Sequence, residues 1–264
     1  YASRKNKGTH KAVERLYYFI RKVSNNGRLI KNPHTNNSIT GYALKADIKH
    51  YFETVNHKIL LKILNRRVRD KNLIQLINKI LNNFDTKTKG MPLGNLTSQF
   101  FAYVYLNDLD YFIKHKLKAK YYIRYVDDFV ILHKSKKQLI KYKIRINKFL
   151  KKELKLELHQ DKSRIIPLAN GINFLGFKNF YYYKILRKKN IRRILFEIKR
   201  FNSENIHYIR FTEIFQGWNA HAKQANTYKL RKLLMTEIKL INTFFLFIKS
   251  AKTKSDKLYN IITF

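Results

Sequence analysis

The chain has 264 residues, enough for one large domain or several small ones with a substantial core. Its 56 Lys plus Arg against 17 Asp plus Glu give a net charge of +39, and a 45% hydrophobic, 14% aromatic composition excludes a disordered basic tail. There is no cysteine, which excludes disulfides, zinc–thiolate sites and thiol catalysis and fits a reducing, cytoplasmic setting.

Such a charge calls for an anionic partner, nucleic acid first and an anionic membrane surface second. The opening "YASRKNKGTH" is basic and polar, unlike a secretory signal. No apolar run approaches the ~20 residues of a membrane span.

In chain order, Thr9 to Val23 reads as an amphipathic helix, with Val13, Leu16, Tyr17 and Ile20 on the helical period. "NNGRLIKNPHTNNSITG" is a polar loop. "YALKADI" alternates as a strand, with Leu44, Ala46 and Ile48 on one face and Lys45 and Asp47 on the other. Helices are predicted over His57 to Val68 and Leu73 to Phe84. "TKTKGMPLGNLTSQ" is a loop, from which Thr97 or Ser98 caps a helix carrying Phe101, Val104, Tyr105 and Phe112. Tyr121 to His133, "YYIRYVDDFVILH", reads as a hairpin with its acids near the turn. A helix over Lys136 to Leu154, a strand near Arg164 to Leu168 and a hairpin over "INFLGFKNFYYYKIL" follow. From Ile191 the chain is helical and very basic. The pattern predicts an α+β centre with antiparallel pairing and a helical appendage.

Asp127–Asp128 is the one place where two acids adjoin in this basic chain. Carboxylates ~4 Å apart repel by about 4 kcal/mol at an effective dielectric of 20. Unless a cation intervenes, one of them keeps its proton. Mg²⁺ takes one or two carboxylates together with substrate phosphates and water, and a third acid completes a two-metal site. Asp47, on the polar face of its strand, is the third candidate. An Asp-Asp pair at a hairpin tip is also an ordinary solvated turn.

"YVDD" at Tyr125 to Asp128 resembles the catalytic hairpin of reverse transcriptases. "KADIKHYFETVNH" is similar to their first catalytic strand, and "GMPLGNLTSQFFAYVYLNDLD" to the loop and palm helix after it. "LHQDKSRI" resembles the later lysine motif and "NFLGF" the primer-grip hairpin. The motifs run in the family's order over nearly the whole chain. "LGNLTSQ" and the opening "YASRKNKGTHKAV" resemble the enzymes of diversity-generating retroelements more than those of group II introns, which usually carry Gln-Gly and Ser-Pro in that loop. The Val-Thr-Gly triplet of retron enzymes is absent.

The resemblance implies a right-hand polymerase: partial fingers over 1–40, a palm with an antiparallel sheet over 41–185 with finger-side helices at 57–90, and a helical thumb over 186–264. It implies an error-prone RNA-directed DNA polymerase using two Mg²⁺ ions, with Mn²⁺ as a substitute. Asp47 and Asp127 would bind both ions, Asp128 would assist, and the Ile48 carbonyl would touch one. Phe52 would be the steric gate against a 2′-hydroxyl, although by residue type it is also a core aromatic. Leu93, Gly94 and Gln99 would lie on the nucleotide and template side. Lys162 would lie near the leaving pyrophosphate, although it also reads as a solvated lysine. Template RNA, a DNA primer and deoxynucleoside triphosphates are the implied partners, with a small basic accessory protein if the element diversifies sequence.

Alternatives are a group II intron-type or defence-associated enzyme, or a maturase-like RNA-binding protein without synthesis. The family's N-terminal finger motif lies outside the sequence, so a longer intact protein is expected. Trp218 either packs between thumb helices or stacks near nucleic acid. "KLINTFFLFIK" is either a buried thumb helix or a helix at a membrane surface.

Overall fold

A computed structural model describes residues 1, 5–31, 37–82, 88–92 and 94–238. They form two units: Tyr1–Leu175 with Asn179–Tyr182, and Gly176–Lys178 with the chain from Tyr183 onward.

The first unit is built on a four-stranded antiparallel sheet. Its strands are β1 (Tyr42–Ala46), β2 (Tyr121–Tyr125), β3 (Asp128–His133) and β4 (Arg164–Pro167), in the order β2–β3–β1–β4. Both faces are covered. Leu44 and Ala46 of β1 and Phe129 and Ile131 of β3 face one core. Leu139, Tyr142 and Ile146 of helix α7 (Lys136–Phe149) and several shorter helices cover that side. Ala43, Ile123, Val130 and Leu132 face a second core under α1 (Thr9–Val23), which presents Ala12, Leu16, Phe19, Ile20 and Val23. Alternation predicted only one apolar face for β1. Ala43 adds the other, because α1 packs there.

The covering helices are α2 (Tyr51–Thr54), α3 (His57–Asn65), α4 (Lys71–Asn82), α5 (Leu96–Tyr105) and α6 (Asn107–Tyr111), the last running into a π-helical turn over Phe112–Lys116. Local chemistry sets their starts. The Asn56 side chain accepts from the Ile59 amide at 3.1 Å to cap α3, and Ser135 caps α7 through the Gln138 amide. Neither Thr97 nor Ser98 caps α5. Asn95 holds that position without a side-chain bond, and Ser98 is buried inside the helix. The helix predicted to end at Leu154 is α-helical to Phe149 and closes in a π-helical turn over Leu150–Leu154, ended by Lys155 in the left-handed conformation. Phe84, expected to end α4, lies outside the described residues.

β5 (Ile172–Phe174), β6 (Phe177–Asn179) and β7 (Lys184–Leu186) replace the single hairpin expected there. The second unit continues into α8 (Lys188–Asn202), α9 (Tyr208–Ala222) and α10 (Tyr228–Thr236). Their core joins Ile194, Ile198, Phe201, Phe211, Leu234 and Ile238, with Phe201 and Phe211 stacked at 4.2 Å. Trp218 packs against this helical core, beside Phe215. The apolar "KLINTFFLFIK" lies outside the described residues. Among the described residues no helix is long and apolar enough to cross a membrane.

Candidate active site

The β1–β3 register pairs Ala46 with Phe129. One residue further on, Asp47 leaves β1 as Asp128 enters β3, so the two acids stand side by side at the end of the sheet. Asp127 sits in the β2–β3 turn, where Tyr125 pairs with Asp128 and the two residues between them make the reversal. The first of those, Val126, has φ 56°. Positive φ at the first turn residue suits the twist of a tight hairpin, but it is strained for a β-branched side chain. On the other side of β1, Lys45 pairs with Arg164. The same register brings Lys162 beside Asp47, and the two form an ion pair at 3.6 Å.

Backbone contacts hold Asp47. Its carbonyl accepts from the His159 amide at 2.8 Å and from the Ser163 hydroxyl at 3.3 Å, and its own amide donates to that same hydroxyl oxygen. Ser163 is buried, and Lys143 donates to its carbonyl at 2.6 Å. Ile48 is buried and bridged to Leu158.

Burial and, less, mutual repulsion raise two of the carboxyls. Burial pushes Asp128 up to about 6; Lys45 opposes the shift, while Asp47 and Asp127 add to it. Asp127 is also raised, by burial and by the charge of Asp47, against local backbone amides and Lys162 that pull it down. Lys45 lies 3.1 Å from Asp128 Oδ1, yet that buried oxygen has no well-aligned hydrogen bond. Lys45 shares the polar face of β1 with Asp47. The alternation of "YALKADI" already placed it there, but nothing in the sequence named its partner.

These shifts fix a pH dependence. A raised carboxyl binds its proton more tightly in the folded state than in the unfolded one. Its contribution to stability is therefore full below about pH 4, the unfolded value, and is lost as pH rises through about 6. Melting temperatures of metal-free protein from about pH 4 to 7 should thus fall less steeply in Asp128→Asn than in wild type. Parallel profiles would show that Asp128 does not titrate in this range.

The donor set suits a divalent ion. Among the described residues no three His, Cys, Asp or Glu side chains form a ready cage. Mg²⁺ needs only one or two carboxylates, since phosphates and water complete its shell. Hard oxygens, lysines as their present counter-ions and an Asp128 oxygen with unused lone pairs fit that requirement.

The remaining candidates lie on the helical side. Phe52, in α2, is partly buried against the first core and meets Tyr51 edge-on at 5.5 Å. The Phe52 carbonyl accepts from the Met91 amide at 2.7 Å, and Val55 from Gly90 at 2.8 Å, which ties the glycine-bearing loop to α2. Gly94 has φ +94° with open space where a Cβ would stand, so its backbone conformation, not crowding, calls for glycine. Leu93 lies outside the described residues. Gln99 is exposed on α5, in a groove with Leu96, Phe100 and Tyr103. The fold thus brings Asp47, Asp127, Asp128 and Lys162 together and ties Phe52 to the loop before Gly94.

One acid at the end of an inner strand, two at the adjoining hairpin turn and helices behind the sheet define a palm of the right-hand polymerase kind. Residues 3–179 match the family "Reverse transcriptase (RNA-dependent DNA polymerase)", and the chain belongs to that family. Among curated proteins it is similar to the group II intron-encoded protein LtrA of Lactococcus lactis subsp. cremoris, 25% identical over 57% of this chain and 36% of that one. It is similar to the putative COX1/OXI3 intron 2 protein of Saccharomyces cerevisiae, 24% identical over 51% of this chain and 23% of the relative. Protein YkfC of Escherichia coli is 24% identical over 56% of this chain and 48% of its own length. The chain therefore spans less than half the length of these relatives. In fold it is similar to telomerase from Candida albicans in complex with a TWJ fragment of telomeric RNA (TM-score 0.51, 11% identity, 96% of this chain and 55% of that one). Telomerase from Candida tropicalis in the corresponding complex gives TM-score 0.51 at 14% identity, over 93% of this chain and 44% of that one.

Proposed function

We propose that this chain carries the polymerising centre of an RNA-directed DNA polymerase. It would join a primer 3′-hydroxyl to the α-phosphate of a deoxynucleotide on an RNA template. The observation that carries the reading is the register that sets Asp47 beside Asp128, with Asp127 in the adjoining turn. Two Mg²⁺ ions, or Mn²⁺ in their place, would supply activation of the attacking oxygen and neutralisation of the leaving one. Asp47 and Asp127 would hold them, with Asp128 and the Ile48 carbonyl assisting. Lys162, paired with Asp47 through a side chain that is more than half exposed, would turn toward a departing pyrophosphate. Residues 1–40 serve as partial fingers, 41–185 as palm and 186–264 as thumb, whose cations would grip the template–primer backbone. Primer extension on RNA by the intact protein tests the reading. No product with either Mg²⁺ or Mn²⁺ would overturn it.

Phe52 is assigned the steric gate. A ring there excludes a 2′-hydroxyl by clash, so discrimination does not depend on a lost attraction. Phe52→Val is expected to raise ribonucleotide incorporation relative to deoxynucleotide by about tenfold or more. Unchanged selectivity in single-turnover extension would return the ring to a packing role.

Within the family, the proposal is an error-prone enzyme of a diversity-generating retroelement, working with a small basic accessory protein. "MPLGN" supports it: a Gln before the glycine offers donors and an acceptor that Leu93 lacks, so misaligned pairs lose fewer hydrogen bonds. The similarity to intron-encoded proteins favours the second reading, a group II-type enzyme. Sequencing complementary DNA made by wild type and by Leu93→Gln separates them. The first reading expects fewer errors in the variant, concentrated at template adenine in the wild type. Equal spectra favour the second.

A further inference from the structure

Arg124 lies two residues before the hairpin turn and pairs in register with Phe129. Its side chain therefore points to the face opposite the acids, toward α6, where only 9% of it is exposed. A guanidinium there costs desolvation that a leucine would avoid. Each of its three nitrogens donates in a specific direction. Nε donates to Asp110 Oδ1 at 2.8 Å, and Nη2 donates to the other oxygen of the same carboxylate. Nη1 donates to the carbonyl of Val126 at 2.8 Å. Tyr122 also donates to Asp110, which fixes the carboxylate that holds the fork. Burial disfavours the Arg124 charge, but the Asp110 hydrogen bonds and charge outweigh it, so the group stays cationic.

Val126 is the strained residue of the turn, and its peptide carbonyl leads directly into Asp127. We infer that Arg124 is a positioning residue: anchored by Asp110 from behind the sheet, it locks the Val126 carbonyl and so sets the backbone that aims Asp127 and Asp128. It touches neither ion nor substrate. The inference rests on the proposed polymerase reading for its catalytic consequence, but not for the lock itself. Geometry explains why lysine cannot replace it. Lysine has a single nitrogen, whereas this arrangement uses three nitrogens of one planar fork to reach a carboxylate and a carbonyl in different directions.

The test compares Arg124→Lys with Tyr105→Phe in the intact protein. Tyr105 is fully buried and donates to the Leu154 carbonyl at 2.6 Å, so its loss destabilises the same core without touching the turn. Hydrogen–deuterium exchange over residues 121–133 is expected to speed up in Arg124→Lys and not in Tyr105→Phe. In steady-state extension, Arg124→Lys should lower kcat by about tenfold to a hundredfold. The nucleotide KM should change little, and more Mg²⁺ should be needed for half-activity. Unchanged exchange across the hairpin, or the same response in both variants, would overturn the inference. If wild type makes no product at all, the polymerase reading fails, and the exchange comparison alone then decides whether Arg124 locks the turn.

Discussion

Asp127→Asn is expected to lower primer extension by about a thousandfold or more while leaving RNA affinity within about threefold. The substitution keeps size and hydrogen-bonding shape but removes one anionic oxygen donor. Loss of several kcal/mol of charge stabilisation at the reacting phosphate, at 1.36 kcal/mol per decade, gives that magnitude. Affinity for RNA would come from a different source. A chain of net charge +39 would bind phosphates through many cations, and removing one negative charge would not weaken that attraction. Single-turnover extension and filter binding on the same RNA, at fixed salt, check both halves. An active variant would remove Asp127 from the metal site. An inactive variant that also loses RNA would point to misfolding.

Phe129→Ala is expected to cost about 3–5 kcal/mol of folding stability. Phe129 is fully buried on an inner strand, opposite Ala46 and one residue from Asp128, and it meets Tyr122 edge-on at 6.0 Å. A small partner across the strand leaves nothing to collapse into the space the ring vacates, so transfer and cavity costs both apply. Against the ~5–15 kcal/mol of a whole domain, this loss is large. It should appear in urea titration as a lower midpoint with an unchanged slope. Phe129→Leu, which keeps most of the volume, should lose much less. Equal losses from both variants would mean that the site does not depend on ring packing.

Much of this was legible in one dimension. Alternation in "YALKADI" and "YYIRYVDDFVILH" marked the two acid-bearing segments, because a strand's period of two is written directly into residue order. Helix α1 was readable to its ends because its apolar stripe is regular. The start of α5 was misread. Thr97 and Ser98 have capping chemistry, but Ser98 is drawn into the core, and packing outweighs a cap of about 1 kcal/mol.

What the sequence alone determined was the family, the acids and the elements that carry them, all properties of local order and residue type. Only the tertiary structure decided who faces whom. Asp47 and Asp128 are 81 positions apart in number yet adjoin because β1 pairs with β3, and Lys162 reaches Asp47 because β4 flanks β1 on the other side. Lys45 and Arg124 are both cations in apolar strands. Strand parity and register send one to Asp128 on the α1 face of the sheet and the other to Asp110 and the Val126 carbonyl on the opposite face. The reason is physical: a buried charge is tolerated only where a partner stands, and partners from distant segments meet only once register and twist have been set by the packing of the whole sheet.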